Sequence, residues 1–356
     1  MAFVSAASRS HWDIAKQKLQ CNGSIDASYP SMGSCLSYSR VCFDQSTVIS
    51  FDPAYNPNNI SSLRLPRVDV SKLIYNYAVD YTKPFVAIEF NYEPLPYRPG
   101  GLNEATSDLR APSFDSCIVP VIFFAMWPHN YAEAAAISLS RFDKMWRDGA
   151  LPNTTLFVQA TPGGVRLMPF MQPLLRPLTN LSVMTLAELS ARSAVKGKHG
   201  HPGRCFQQAY ICVYDRPDFG LMYDMLQHTV QWYQERQALP ASDVGFDGGN
   251  DTLKVLIESR GGTYRSLINA PKLVTACNDF QGFKFSETGP WKRVQCRTTT
   301  FGVNTLQALA NADAANVLVA VHGAGATNAY AMHEGSALIE IRPLEFGSRH
   351  RGWANS

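Results

Sequence analysis

At 356 residues, with 46% apolar side chains and a net charge of +3, the chain is long enough for two ordinary domains and too near neutral for a nucleic-acid protein. No basic run carries interleaved aromatics. The longest apolar stretch, Cys117 to Trp127, is broken by Pro120 and falls short of the roughly 20 residues that span a bilayer. Eight cysteines and five Asn-x-Ser/Thr sequons, at Asn22, Asn59, Asn153, Asn180 and Asn250, lean towards an oxidising, lumenal compartment, although Met1 to Ser10 has no apolar signal core.

Taken in order, residues 1–46 are low in pattern, and Cys35 and Cys42 lie near enough in sequence for a short disulfide loop. Strands are expected at Ser46 to Asp52 and Pro84 to Phe90, separated by Pro/Asn-rich loop, with an irregular, proline-rich stretch from Glu93 to Pro112. From Val121 the chain alternates. Val121 to Met126, Leu156 to Ala160, Leu181 to Leu186 and Gln208 to Tyr214 read as buried strands. Pro128 to Arg147 and Leu221 to Arg236 read as amphipathic helices. Lys196 to Arg204 is a basic, Gly-rich loop; with Cys205 and Cys212 it fits no common zinc spacing and reads as surface, with a disulfide through either cysteine open.

Residues 238–251, rich in Pro, Gly and Asp, read as a linker. The pattern then restarts: strand at Val255 to Ser259, helix at Ala270 to Asn278, a short strand at Phe283 to Ser286, helix at Thr300 to Ala312, strand at Val317 to Val321, short helix at Ala326 to His333, strand at Ala337 to Arg342. Strands separated by helices predict an α/β fold with two doubly wound, Rossmann-like domains facing a cleft. The expected domains are residues 1–237, with 1–46 an irregular leader, and residues 252–356, the latter expected to be truncated because a domain of this kind should continue past Ser356.

The most informative turn is His322-Gly323-Ala324-Gly325, which ends the β-branched run Val317 to Val321. A strand, a Gly-rich turn and a helix start bring free N–H groups and a positive dipole end to one point, the makings of an anion site. HGAGATN followed by GSALIEI resembles the signature of glycosyltransferase family 61, HGAGLTN followed by a Gly and a strand carrying a Glu; Ala326 stands where the family usually has Leu. Lys254 to Asn269 (KVLIESRGGTYRSLIN) carries Arg260, Arg265 and Asn269 at the spacings of that family's second block.

The resemblance implies a GT-B architecture, a UDP-sugar donor, inversion at the anomeric carbon, and a Golgi or endoplasmic-reticulum enzyme whose N-terminal membrane anchor this chain lacks. The transferred sugar would be xylose, arabinose or N-acetylglucosamine, the acceptor a glycan or protein hydroxyl. His322, Gly323, Ala324, Gly325, Thr327 and Asn328, with Arg260, Arg265, Asn269 and Glu340, are the expected UDP-sugar contacts, Glu340 on the ribose hydroxyls. No metal and no cofactor beyond the UDP-sugar are expected: no Asp-x-Asp follows an apolar strand, and Arg with helix-end N–H groups can take the diphosphate charge.

His322 reads equally as a core histidine, and Asn328 as a residue bonding its own loop. The family's His, four residues before an acid, matches His129 and Glu133, the expected catalytic pair. Asn130 with Glu133 also fits a capping box, and the two roles are not exclusive. The alternatives are a nicotinamide oxidoreductase, although Asn328 holds the third glycine position, and a non-catalytic descendant that binds sugar nucleotide or glycan.

Overall fold

In the computed structural model of the protein the strands in chain order are β1 (Cys35–Asp44), β2 (Thr47–Ser50), β3 (Ile74–Tyr75), β4 (Val86–Ala87), β5 (Leu95–Pro96), β6 (Val119–Phe124), β7 (Thr155–Ala160), β8 (Met184–Thr185), β9 (Cys205–Val213), β10 (Thr252–Glu258), β11 (Arg293–Thr299), β12 (Val317–Val321) and β13 (Ala337–Ile341). The helices are α1 (Tyr131–Ala134), α2 (Ser140–Arg147), α3 (Met171–Leu175), α4 (Leu186–Leu189), α5 (Phe219–Glu235), α6 (Ala270–Asp279) and α7 (Thr305–Asp313). A π-helical turn, Ala135–Leu139, joins α1 to α2, and a 3-10 helix, Ala324–Ala331, joins β12 to β13. The structure describes residues 25–52, 74–75, 86–87, 95–96, 112–124, 130–160, 167–190 and 204–342, less 45–46, 215, 248, 261–265, 281, 284, 286, 288 and 303. The fold is mixed α/β, and the chain divides into two compact units.

One unit comprises residues 1–129 and 137–217. Its seven-stranded sheet runs β5-β2-β1-β9-β6-β7-β8. β6 lies parallel to β7 and β9, and β7 parallel to β8, whereas β1 pairs antiparallel with both β2 and β9. Both faces of β7 are buried. Leu156 and Val158 join Tyr38, Phe43, Ile122, Phe206 and Ile211 on one side, and on the other Phe142 of α2 packs 5.2 Å from Phe123 and 5.1 Å from Phe157. Parallel strands covered on both faces require such near-continuous apolar runs.

The expected Cys35–Cys42 loop does not form. Cys35 pairs with Cys212 and Cys42 with Cys205, each bond crossing between residues directly opposite in the β1–β9 register. The first closes a separation of 177 residues, worth about 5 kcal/mol of chain entropy in the loop-closure model. The second adds less, because the first already holds the two strands together. A third disulfide joins Cys277 of α6 to Cys296 of β11, and no described cysteine is free. Three disulfides among the described residues mark a non-cytosolic protein, lumenal or secreted. Sequons Asn153, Asn180 and Asn250 are exposed. Among the described residues no helix is long and apolar enough to cross a membrane.

Leu181 to Leu186 is strand only at Met184–Thr185, because Thr185 starts a helix. Its hydroxyl accepts from the Glu188 backbone N–H while its own N–H donates to the Glu188 carboxylate, a complete capping box. Phe283 and Phe285 are not in a strand; they cluster with Phe280.

The second unit comprises residues 130–136 and 218–356. Its four strands are all parallel in the order β11-β10-β12-β13. β11 is the partly polar edge strand RVQCRTT, which carries no apolar run to announce it. The chain leaves β10 through α6 to β11 on one side, and α7 then carries it back to β12 on the other. The direction of winding reverses between β10 and β12, and ligands of open α/β sheets bind at the carboxyl ends of strands at such a reversal.

The units divide the chain elsewhere than at residues 238–251. α5 belongs with the parallel sheet, where Gln227 Nε2 donates to the carbonyls of Tyr330 (2.8 Å) and Met332 (2.7 Å). Residues 242–243 are tied to the same unit by buried Asn311, whose Oδ1 accepts from Ser242 Oγ at 3.0 Å and whose Nδ2 donates to Asp243 Oδ1 at 2.8 Å.

Candidate functional site

The winding reversal places two chain ends side by side: Glu258-Ser259-Arg260 leaving β10, and His322-Gly323-Ala324-Gly325 leaving β12. The two glycines of the second segment are required for different reasons. Gly323 has φ 151° and ψ −174°, a region essentially closed to residues with a Cβ. Gly325 has no such backbone demand; a Cβ there would fall 2.5 Å from the carboxyl carbon and 2.8 Å from Oε2 of Glu258. Glu258 is 2% exposed and occupies the space beneath Gly325. The short helix expected from residue 326 is 3-10 rather than α and begins at Ala324, its first turn closed by the Ala326 N–H donating to the Gly323 carbonyl.

Within that helix the Asn328 side chain donates to the Gly325 carbonyl at 2.9 Å, so Asn328 ties its own loop. Thr327 is fully buried, and its hydroxyl has no hydrogen-bond partner among the described residues. His322 donates its backbone N–H to the Ile341 carbonyl, and its Nδ1 lies 2.6 Å from Oε1 of Glu340. The other carboxylate oxygen of Glu340 is 3.3 Å from Arg342 Nε. The Glu340 side chain is only 2% exposed, so the cost of burying its charge is met by an imidazole and a guanidinium on the same strand ends.

Arg260 stands just past β10. Its Nη1 is buried and has no hydrogen-bond partner among the described residues. A guanidinium nitrogen shut away from water without an acceptor is costly, and an oxyanion is the group that best satisfies it. Asn269 precedes α6 as an exposed residue and makes no side-chain capping bond. Arg265 and His129 lie outside the described residues.

Glu133 is in α1, within the same unit, and α1 packs against the 3-10 helix. The Asn130 side chain caps α1, accepting from the N–H groups of Ala132 (3.1 Å) and Glu133 (3.4 Å). The expected capping box is only half formed: the Glu133 carboxylate makes no return bond. It is partly buried, and desolvation raises its pKa above the ordinary carboxylate value. A carboxylate raised in this way is a better proton acceptor near neutral pH.

Sequence reasoning missed Glu258 and Arg342. An acid ending the apolar run Val255-Leu256-Ile257 was the available signal for Glu258; for Arg342 it was the spacing of two from Glu340 in the expected strand, which puts both on one face. No protein-family model and no curated protein matches this chain.

Proposed function

We propose that the chain is a metal-independent, inverting glycosyltransferase that moves xylose, arabinose or N-acetylglucosamine from a UDP-sugar to a glycan or protein hydroxyl. The observation that carries this reading is the pairing, at one strand-end reversal, of a Gly-rich turn with a buried Arg260 nitrogen that lacks an acceptor among the described residues. The Thr327 hydroxyl in the helix that follows, buried without a hydrogen-bond partner among the described residues, adds a second polar group that a ligand would satisfy. A diphosphate supplies acceptor oxygens for both, and backbone N–H groups of the turn add to them.

In the proposed reaction a base takes the acceptor proton, the acceptor oxygen attacks the anomeric carbon, and the bond to UDP breaks with inversion. Arg260 and the turn would hold the charge that grows on the departing diphosphate. Glu133, held above the usual carboxylate range by desolvation, is the described candidate for the base, and His129 the other. His322, Gly323, Ala324, Asn328, Arg265 and Asn269 complete the proposed donor site. The two α/β units would be the Rossmann-like domains of a GT-B enzyme working in the Golgi or endoplasmic-reticulum lumen on a glycan or glycoprotein.

The test is a thermal-shift screen of UDP-xylose, UDP-arabinose and UDP-N-acetylglucosamine, with NAD as the competing ligand and Arg260→Ala as the control. Stabilisation by one UDP-sugar that Arg260→Ala abolishes supports the proposal. Stabilisation by NAD alone, or by none of the four, removes it.

A further inference from the structure

The Gly-rich turn raises a question that its motif does not answer: why residue 325 is glycine. Two causes are available. Either a ligand comes so close to the backbone that no side chain fits, or the protein itself already occupies the place. Gly323 answers to its backbone, but Gly325 lies outside the left-handed region and any residue could adopt its conformation. What excludes a side chain is Glu258, whose carboxyl carbon stands 2.5 Å from where a Cβ would be. Glu258 ends β10, is 2% exposed, and is held in a parallel ladder by Thr299 of β11 opposite it in register. The sheet sets its backbone and burial confines its carboxylate, so the turn fits around it.

We infer that Glu258 is a positioning residue: its buried carboxylate fills the cradle beneath Gly325 and fixes the path of the turn and of the 3-10 helix that begins at Ala324. The pair is a lock of one large buried group and one absent side chain. Asn328 secures the same loop from the other end, by donating to the Gly325 carbonyl. Preorganised N–H groups bind an anion without the cost of ordering a loop, so the lock would set the affinity of the site for a diphosphate. This last step rests on the transferase reading; the lock itself does not.

The test is a double-mutant cycle on the full chain with Gly325→Ala, Glu258→Ala and both together, read by melting temperature and by UDP affinity in calorimetry. Gly325→Ala alone is expected to lower the melting temperature by several degrees and weaken UDP tenfold or more. In the Glu258→Ala background the same alanine should change the melting temperature by less than about a degree, because its space has been vacated. Glu258→Gln, which keeps the shape and an acceptor oxygen, should hold UDP within about threefold of the parent, whereas Glu258→Ala loses tenfold or more while still folded. Should Glu258→Ala fail to fold, Glu258→Ser takes its place in the cycle. Equal destabilisation by Gly325→Ala in both backgrounds overturns the lock. Unchanged UDP affinity in folded Glu258→Ala overturns its positioning role. Failure of the parent to bind UDP overturns the transferase reading and leaves the melting cycle to decide the lock.

Discussion

His322 and Glu340 face each other across adjacent strand ends, Nδ1 to Oε1 at 2.6 Å, with Arg342 on the second carboxylate oxygen at 3.3 Å. Glu340 was expected to reach for ribose hydroxyls. In the fold its two oxygens face two cationic or polarisable groups of the chain itself, and what it does first is anchor the residue that opens the Gly-rich turn.

Removing that anchor is predicted to be costly. Glu340→Ala leaves an imidazole and a guanidinium without their shared carboxylate, and should lower stability by about 3 kcal/mol. Glu340→Gln keeps one acceptor oxygen and should cost less. Denaturant unfolding of the three proteins measures the order. An alanine variant as stable as the parent means that the carboxylate contributes no net stability.

Glu133 gives a pH prediction. Desolvation raises its folded pKa, so between the ordinary carboxylate value and the raised one the folded chain keeps a proton that the unfolded chain has lost. Its contribution to stability therefore declines as pH rises through that window and stays unfavourable above it. Glu133→Gln should remove this decline, matching the parent in acid and exceeding it slightly at neutral pH. If Glu133 is the base, turnover should fall by roughly 10²–10⁴-fold while UDP binding persists. A Gln variant with full turnover passes the role to His129.

Arg260 should carry much of the donor affinity. Arg260→Ala is expected to weaken UDP at least tenfold, and Arg260→Lys to recover only part, since an ammonium lacks the planar fork. Turnover should persist in EDTA. Loss on chelation with recovery in Mn²⁺ would show that a metal shares the diphosphate charge.

Gln159, near the carboxyl end of β7, is fully buried, and neither amide atom has a hydrogen-bond partner among the described residues. Such a group costs about 1–3 kcal/mol when left unsatisfied. Gln159→Leu, similar in size and apolar, should therefore raise the melting temperature. A fall instead would show that the amide is satisfied in solution, as by a buried water.

What the sequence determined by itself is the local part. Val317 to Val321, Leu156 to Ala160 and Leu221 to Arg236 were legible because burial imposes a period on neighbouring residues, and the turn at His322 to Gly325 was legible because glycine interrupts it. β1 and β11 were missed because their residues are half polar, and what holds them comes from far along the chain: Cys212 and Cys205 for one, β10 and Cys277 for the other. Tertiary structure alone decided the partners. It set Glu258 beneath Gly325, 67 positions apart in a sequence that gives no sign of the contact. It also put α5 and residues 130–136 with the C-terminal sheet and joined Glu340 to His322. Periodicity reports which face of an element is buried; it carries no information on which other element covers that face. That choice is made by packing and charge compensation between residues that meet only once the sheet has formed.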